Sequence, residues 1–198
     1  AQATSRLCWL NTDSTHVCEL AILGRNDRLP WQAAKVCFQH QRDFNYLEAR
    51  HLWEDARVDA EGIRIAGMHY RALIVEDDVP EKAQEAIDTL TKAVRVIRWN
   101  ETMKPETLLG AVDKLIRPDV QVSPAAPDLR VRHVRKLGTD YYLLFNEGES
   151  HLRVQLRLAA HGRWTLLDPT TGDQRLVTSN EPLSLARHEM GVLAVQQA

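Results

Sequence analysis

Hydrophobic residues follow two different rhythms along this chain. As far as Ile116, short and nearly continuous apolar runs alternate with helical periods. "CELAILG" (Cys18 to Gly24) and "RALIVED" (Arg71 to Asp77) have the composition of strands buried on both faces, as in a parallel sheet. After the first run, Pro30 precedes a segment with apolar residues at Trp31, Ala34, Val36, Cys37 and Phe38, which predicts a helix. After the second, Pro80 precedes a stripe of Ala83, Ala86, Ile87, Leu90 and Val94, which predicts another. Between them "FNYLEARHLWEDA" reads as a short strand and a helical turn, and the stretch from Arg57 to Tyr70 alternates around Gly62 and Gly67 like a small β excursion. "VRVIRW" (Val94 to Trp99) is a further strand, and "KPETLLGAVDKLI" is the last helix.

From Leu129 the period becomes two. "LRVRHVRK", "DYYLLFNE", "HLRVQLRL", "RWTLLD", "QRLV" and "LSLARHEMGVLAVQ" read as six strands separated by five turn signals. "RPDVQVSPAAPD" (Arg117 to Asp128) holds three prolines and reads as a linker. The expected architecture is therefore α/β plus all-β: a small flavodoxin-like doubly wound parallel sheet over residues 1–120, then an antiparallel β-sandwich over residues 121–198.

Composition narrows the partners. The 198 residues carry 25 basic and 27 acidic side chains, a formal charge of −2, so no global field favours nucleic acid or an anionic membrane. No apolar run approaches the roughly 20 residues that span a bilayer. The N-terminus lacks the basic and apolar regions of a leader, which leaves the compartment open. Cys8, Cys18 and Cys37 read as reduced, buried thiols, with a Cys8–Cys18 bridge as the alternative in an exported protein.

Candidate chemistry is sought beyond the carboxyl ends of the parallel strands, where doubly wound sheets bind ligands. Asn26, Asp27 and Trp31 lie after the first strand, Glu76, Asp77 and Asp78 after the second, and Trp99 and Asn100 after the third. The phosphate-cradling glycines of nucleotide sites are missing, so no cofactor is expected. The three acidic residues could hold a hard cation, but no second oxygen cluster stands near them in sequence, and charge on a helix N-terminus is the plainer reading. The eight histidines and three cysteines lack zinc-ligand spacings, so no metal is expected. Cys37 and His40 could share a helix face as a nucleophile and base, but no third orienting group accompanies them. Trp164, Tyr141 and Tyr142 could stack on a sugar, although strand alternation sends at least two of them to the core. The basic "RVRHVRK" reads as solvated strand-edge charge.

Two segments carry a resemblance. Gln39 to Tyr46 followed by Gly62 to Val75 resembles the accessory α/β domain of large bacterial glycoside hydrolases, alpha-L-rhamnosidases in particular. Tyr142, Asn146, Trp164, Asp168, Pro169 and Gly172 stand where the following sandwich of those enzymes has its pattern. The resemblance implies an amidotransferase-like α/β domain and a β-sandwich that lack the catalytic residues, with a catalytic barrel preceding Ala1. The expected function is thus the non-catalytic C-terminal portion of a glycoside hydrolase, supporting its catalytic domain, its substrate cleft or a homo-oligomer interface. Under that reading Asn26, Asp27, Trp31 and Trp164 are the substrate-edge candidates. The alternative is a stand-alone carbohydrate-binding or protein-interaction module using an exposed Trp164 or Tyr141.

Overall fold

The computed structural model describes residues 2–25, 27, 29–76 and 78–196. The first stretch of chain forms α1 (Gln2–Asn11), β1 (Thr15–His16), β2 (Leu20–Gly24), α2 (Gln32–Gln39), β3 (Asn45–Glu48), α3 (His51–Glu54), β4 (Arg57–Asp59), β5 (Gly62–Ile65), β6 (Met68–Tyr70) and β7 (Ala72–Val75). Next come a 3-10 turn (Glu81–Ala83), α4 (Gln84–Lys92), β8 (Val96–Arg98), α5 (Pro105–Leu115), β9 (Val120–Ser123), β10 (Leu129–Lys136) and β11 (Thr139–Asn146). β12 (Leu152–Leu158), β13 (Arg163–Leu167), β14 (Gln174–Val177), β15 (Leu183–Leu185) and β16 (Met190–Gln196) complete it. The chain divides into two compact units, one of Cys18–Cys37 with Asp43–Arg117, the other of Ala1–Val17, Phe38–Arg42 and Pro118–Ala198. The boundary near residue 120 drawn from the sequence is linear, whereas these units interleave.

In the first unit, β3, β2, β7 and β8 lie side by side in that order, all parallel. Numbered among themselves along the chain, these strands run 2-1-3-4, so the order reverses between β2 and β7. Alternation explains the continuous apolar runs. Leu20, Ile22, Ala72, Ile74 and Ile97 pack on one face with Ala33, Val36 and Cys37 of α2 and Leu108 and Val112 of α5. Ala21, Leu23, Leu73 and Val75 pack on the other with Ile87 and Leu90 of α4 and Ile63 of β5. Fully buried Ile22 and Ile74 each contribute roughly 1.5–3 kcal/mol by leaving water.

The β excursion is the three-stranded antiparallel sheet β4-β5-β6. Ile65 pairs with Met68 across a two-residue turn, and Ala66 and Gly67 both take positive φ (47° and 80°), the primed turn that matches strand twist. Gly62, at φ 136°, is tighter still: a Cβ there would lie 2.1 Å from the carbonyl oxygen of Tyr70. Val94 departs from its expected place in the α4 stripe. The helix stops at Lys92, and Val94 is exposed at φ 57°. Its N–H donates to the Thr91 carbonyl and that of Arg95 to the Leu90 carbonyl, a C-terminal cap in which the left-handed position is ordinarily glycine.

In the second unit every pairing is antiparallel. A six-stranded sheet in the order β1-β10-β11-β16-β13-β14 faces a three-stranded sheet in the order β15-β12-β9 across one core. Leu129, Tyr142, Leu144, Trp164, Leu193 and Val195 come from the larger sheet; Val120, Val154, Leu156, Leu158, Leu183 and Leu185 come from the smaller. Three elements differ from expectation. The presumed linker contains β9, which pairs with β12. The last predicted strand is two, because Ala186 and Glu189 close a turn between β15 and β16 with Ala186 N–H donating to the Glu189 carboxylate at 2.5 Å. Finally, residues 2–11 are helical, and α1 covers the outer face of the large sheet through Leu10 against Val134 and Val192.

Helix α1 has no acidic residue in its first turn and no basic residue in its last, so its own sequence holds it weakly. Lys136 of β10 supplies the missing cation. Its Nζ donates to the Trp9 carbonyl at 2.6 Å and to that of Thr12, and lies 4.6 Å from the Trp9 ring centroid. Buried His133 and Asp140 satisfy one another. His133 lies 3.0 Å from Asp119 and 2.9 Å from Asp140, stacks on Tyr142, and Arg135 donates to the same Asp140 oxygen at 2.8 Å. Burial, reinforced by the charge of Asp119, pushes the Tyr142 hydroxyl far above its ordinary pKa.

Candidate functional site

The loop after β2 crosses the carboxyl edge of the parallel sheet beside the point where strand order reverses. Leu29 folds back over Gly24, where a Cβ would lie 2.9 Å from its Cδ2 and 4.0 Å from the Tyr46 ring. The Tyr46 hydroxyl donates to the Pro30 carbonyl at 2.7 Å, fixing the loop to β3. Burial of that phenol, with the negative charge of Glu76 nearby, raises its pKa. Trp31 then stands out from the rim at 62% exposure, with Leu29 at 57%.

Three carboxylates around this rim are engaged, and Asp78 is exposed. Glu76, after β7, accepts from the backbone N–H of Ala33 in the first turn of α2, placing negative charge at a helix N-terminus. Asp27 takes both Nε and Nη2 of Arg25 at 3.1 Å. Glu101 accepts from the Gln32 amide, and Asn100 closes a turn onto Thr102. Asn26 and Asp77 lie outside the described residues. Among the described residues no cluster of three His, Cys, Asp or Glu side chains could hold a metal ion. Among the described residues the rim presents the exposed side chains of Leu29 and Trp31 with polar groups beside them.

The other candidates fall elsewhere. Trp164 is 6% exposed and belongs to the sandwich core, so it has no free ring face to stack on a sugar. Tyr141 is half-buried, edge-on to Trp9 at 6.3 Å. Cys37 is fully buried in the sheet–helix core, away from any strand-to-helix elbow, and Cys18 is buried with its thiol 3.3 Å from the Leu20 carbonyl. Cys8 is exposed, contrary to the expectation of three buried thiols, and none of the three cysteines is in a disulfide. No described helix is long and apolar enough to cross a membrane.

The "DPTTGD" loop is a structural device. Asp168 Oδ1 accepts from Thr170 N–H at 2.7 Å and Thr171 N–H at 3.3 Å, which holds its carboxyl below the usual carboxylate range. Gly172, at φ 89°, lets the chain turn back toward β14. The carbonyls of Pro169, Thr170 and Thr171 consequently converge on the Arg6 guanidinium of α1 at 2.9–3.2 Å. Nothing in the sequence around Arg6 signals this partnership, which spans most of the chain. Between α1 and the large sheet lies a cavity of about 390 Å³ lined by Leu7, Trp9, Leu10, Tyr141, Leu167 and Val192, with Arg6 and Asp168 as its charged groups.

Comparison with solved structures places this fold among pieces of glycoside hydrolases. A rhamnosidase from Novosphingobium sp. PP1Y matches all of this chain with 24% of its own, at a TM-score of 0.70 and 13% identity. A beta-galactosidase from Bacillus circulans sp. alkalophilus matches 93% of this chain with 42% of its own, at 0.59 and 8%. Gan42B, a GH42 beta-galactosidase from G. stearothermophilus, matches 91% with 40%, at 0.55 and 11%. At these identities the likeness is one of fold, and this chain spans between a quarter and about two-fifths of those proteins. No protein-family model and no curated protein matches it.

Proposed function

We propose that this chain is a non-catalytic accessory portion of a glycoside hydrolase, which supports a catalytic domain carried elsewhere on the same protein. The observation that carries this reading is the match of its whole length to about a quarter of a rhamnosidase, both units included. Two further features support it. Glu76, Asp27 and Glu101 at the parallel-sheet rim are engaged with a helix terminus, an arginine and an amide, which suits a supporting role better than an acid and nucleophile pair for glycoside cleavage. The strand order 2-1-3-4 with helices on both faces favours a flavodoxin-like first unit, while the burial of Cys37 argues against amidotransferase chemistry within it.

On this reading Trp31 is the contact that the first unit offers to the catalytic domain or to the edge of its cleft. The chain alone is expected to leave a panel of nitrophenyl glycosides unhydrolysed. In the complete hydrolase, Trp31→Ala is expected to raise KM or loosen the domain junction while leaving the folding of this portion within about 0.5 kcal/mol of the parent, as for other exposed positions. Turnover by the isolated chain would overturn the non-catalytic reading; unchanged kinetics and unchanged protease sensitivity of the Trp31 variant would remove that residue from it.

A further inference from the structure

The outer face of the three-stranded sheet carries an arrangement that the accessory-domain reading does not use. Antiparallel register sets Ser123 of β9 opposite Gln155 of β12, and Gln121 opposite Arg157. All four side chains are exposed, whereas Leu156 and Leu158 between and beyond them point into the core. Two amides, a hydroxyl and a guanidinium thus form a two-by-two platform. The four residues, with His161 and Asn180, line an open groove of about 690 Å³. That volume lies within the usual range of small-ligand sites.

The charge of the groove is one-sided. No Asp or Glu lines it. Arg130, Arg135, Arg175 and Arg187 of the same unit each sit on a carboxylate, but Arg157 has no acidic partner among the described residues. Two residues from Gln155 in the other direction, Arg153 exposes a second guanidinium on the same face of β12, about 13 Å from Arg157 along the strand at about 3.3 Å per residue. A guanidinium fork is shaped for a carboxylate, and neutral amides and hydroxyls exchange hydrogen bonds with sugar hydroxyls in either direction.

We propose that this groove binds an acidic oligosaccharide, with a uronate carboxylate on Arg157 and sugar hydroxyls on Gln121, Ser123 and Gln155. Arg153 extends the contact to a further acidic residue, so an oligomer binds more tightly than a single uronic acid. The site lies wholly within this chain and needs no catalytic domain, so its test is separate from that of the accessory role. Calorimetric titration of the whole chain would compare trigalacturonate, galacturonate and neutral maltotriose.

The expected order is trimer over monomer over neutral sugar, with affinity falling as salt is raised. Arg157→Ala is expected to weaken trigalacturonate binding about tenfold or more, as for loss of a charge-assisted hydrogen-bond pair, while Arg157→Lys recovers part of it. An unchanged circular dichroism spectrum of each variant would show that the exposed substitution had left the fold intact. Equal affinity for maltotriose and trigalacturonate, indifference to Arg157→Ala, or no heat of binding for the trimer would each overturn the proposal.

Discussion

At the scale of single residues, the positions that carry the resemblance are occupied with holding the fold. Asn146 is fully buried; its amide donates to the carbonyls of Ser150, Leu185 and Ala186, and its oxygen accepts from Gly148 N–H. Asn146→Ala should orphan these groups and cost about 2–4 kcal/mol, measured as a lower denaturant midpoint for the sandwich unit. Asn45 and Tyr70, distant in the motif, meet in a 3.0 Å hydrogen bond. Asp168 permits a pH test. Its folded pKa is depressed, so the stability it contributes is present above the ordinary carboxylate value near ~3.9 and is lost as pH falls through the lower folded value. The difference in melting temperature between the parent and Asp168→Asn should therefore be visible at neutral pH and shrink below about pH 4.

At the scale of elements, legibility followed locality. The buried strands β2 and β7, the helices after Pro30, Pro80 and Lys104, and the two-period strands of the second unit are fixed by nearby composition, so the sequence pattern found them. Helix α1 was not legible because Lys136 and Arg6 secure it to β10 and to the Asp168 loop, contacts of 124 to 165 residues' separation. β9 was hidden by the prolines around it, and its pairing with β12 is again remote. For the site, Trp31 was expected both at the strand-end loop and among the apolar positions of the helix, and its exposure was decided by tertiary packing, as was the burial of Trp164 between two sheets. Lys136→Met should speed hydrogen exchange throughout residues 2–11, with the other strands little changed, because it removes the cap from outside the helix. Val94→Gly should raise thermal stability by roughly 0.5–1.5 kcal/mol, since relief of a β-branched residue at positive φ outweighs the extra freedom of glycine in the unfolded chain.

At the scale of the whole molecule, each unit has its own core, and the chain passes between them more than once. The likeness to solved hydrolases covers both units. The central claim, an accessory portion whose chemistry lies elsewhere on the same protein, is tested most directly by reading the coding sequence immediately upstream of Ala1. The account predicts an open frame continuing for several hundred codons, about the length of a (β/α)8 barrel or more, with two carboxylates at the carboxyl ends of its strands. A start codon with its ribosome-binding site directly before Ala1 would contradict it and leave a complete small protein, whose acidic-saccharide groove would then be the place to seek its function.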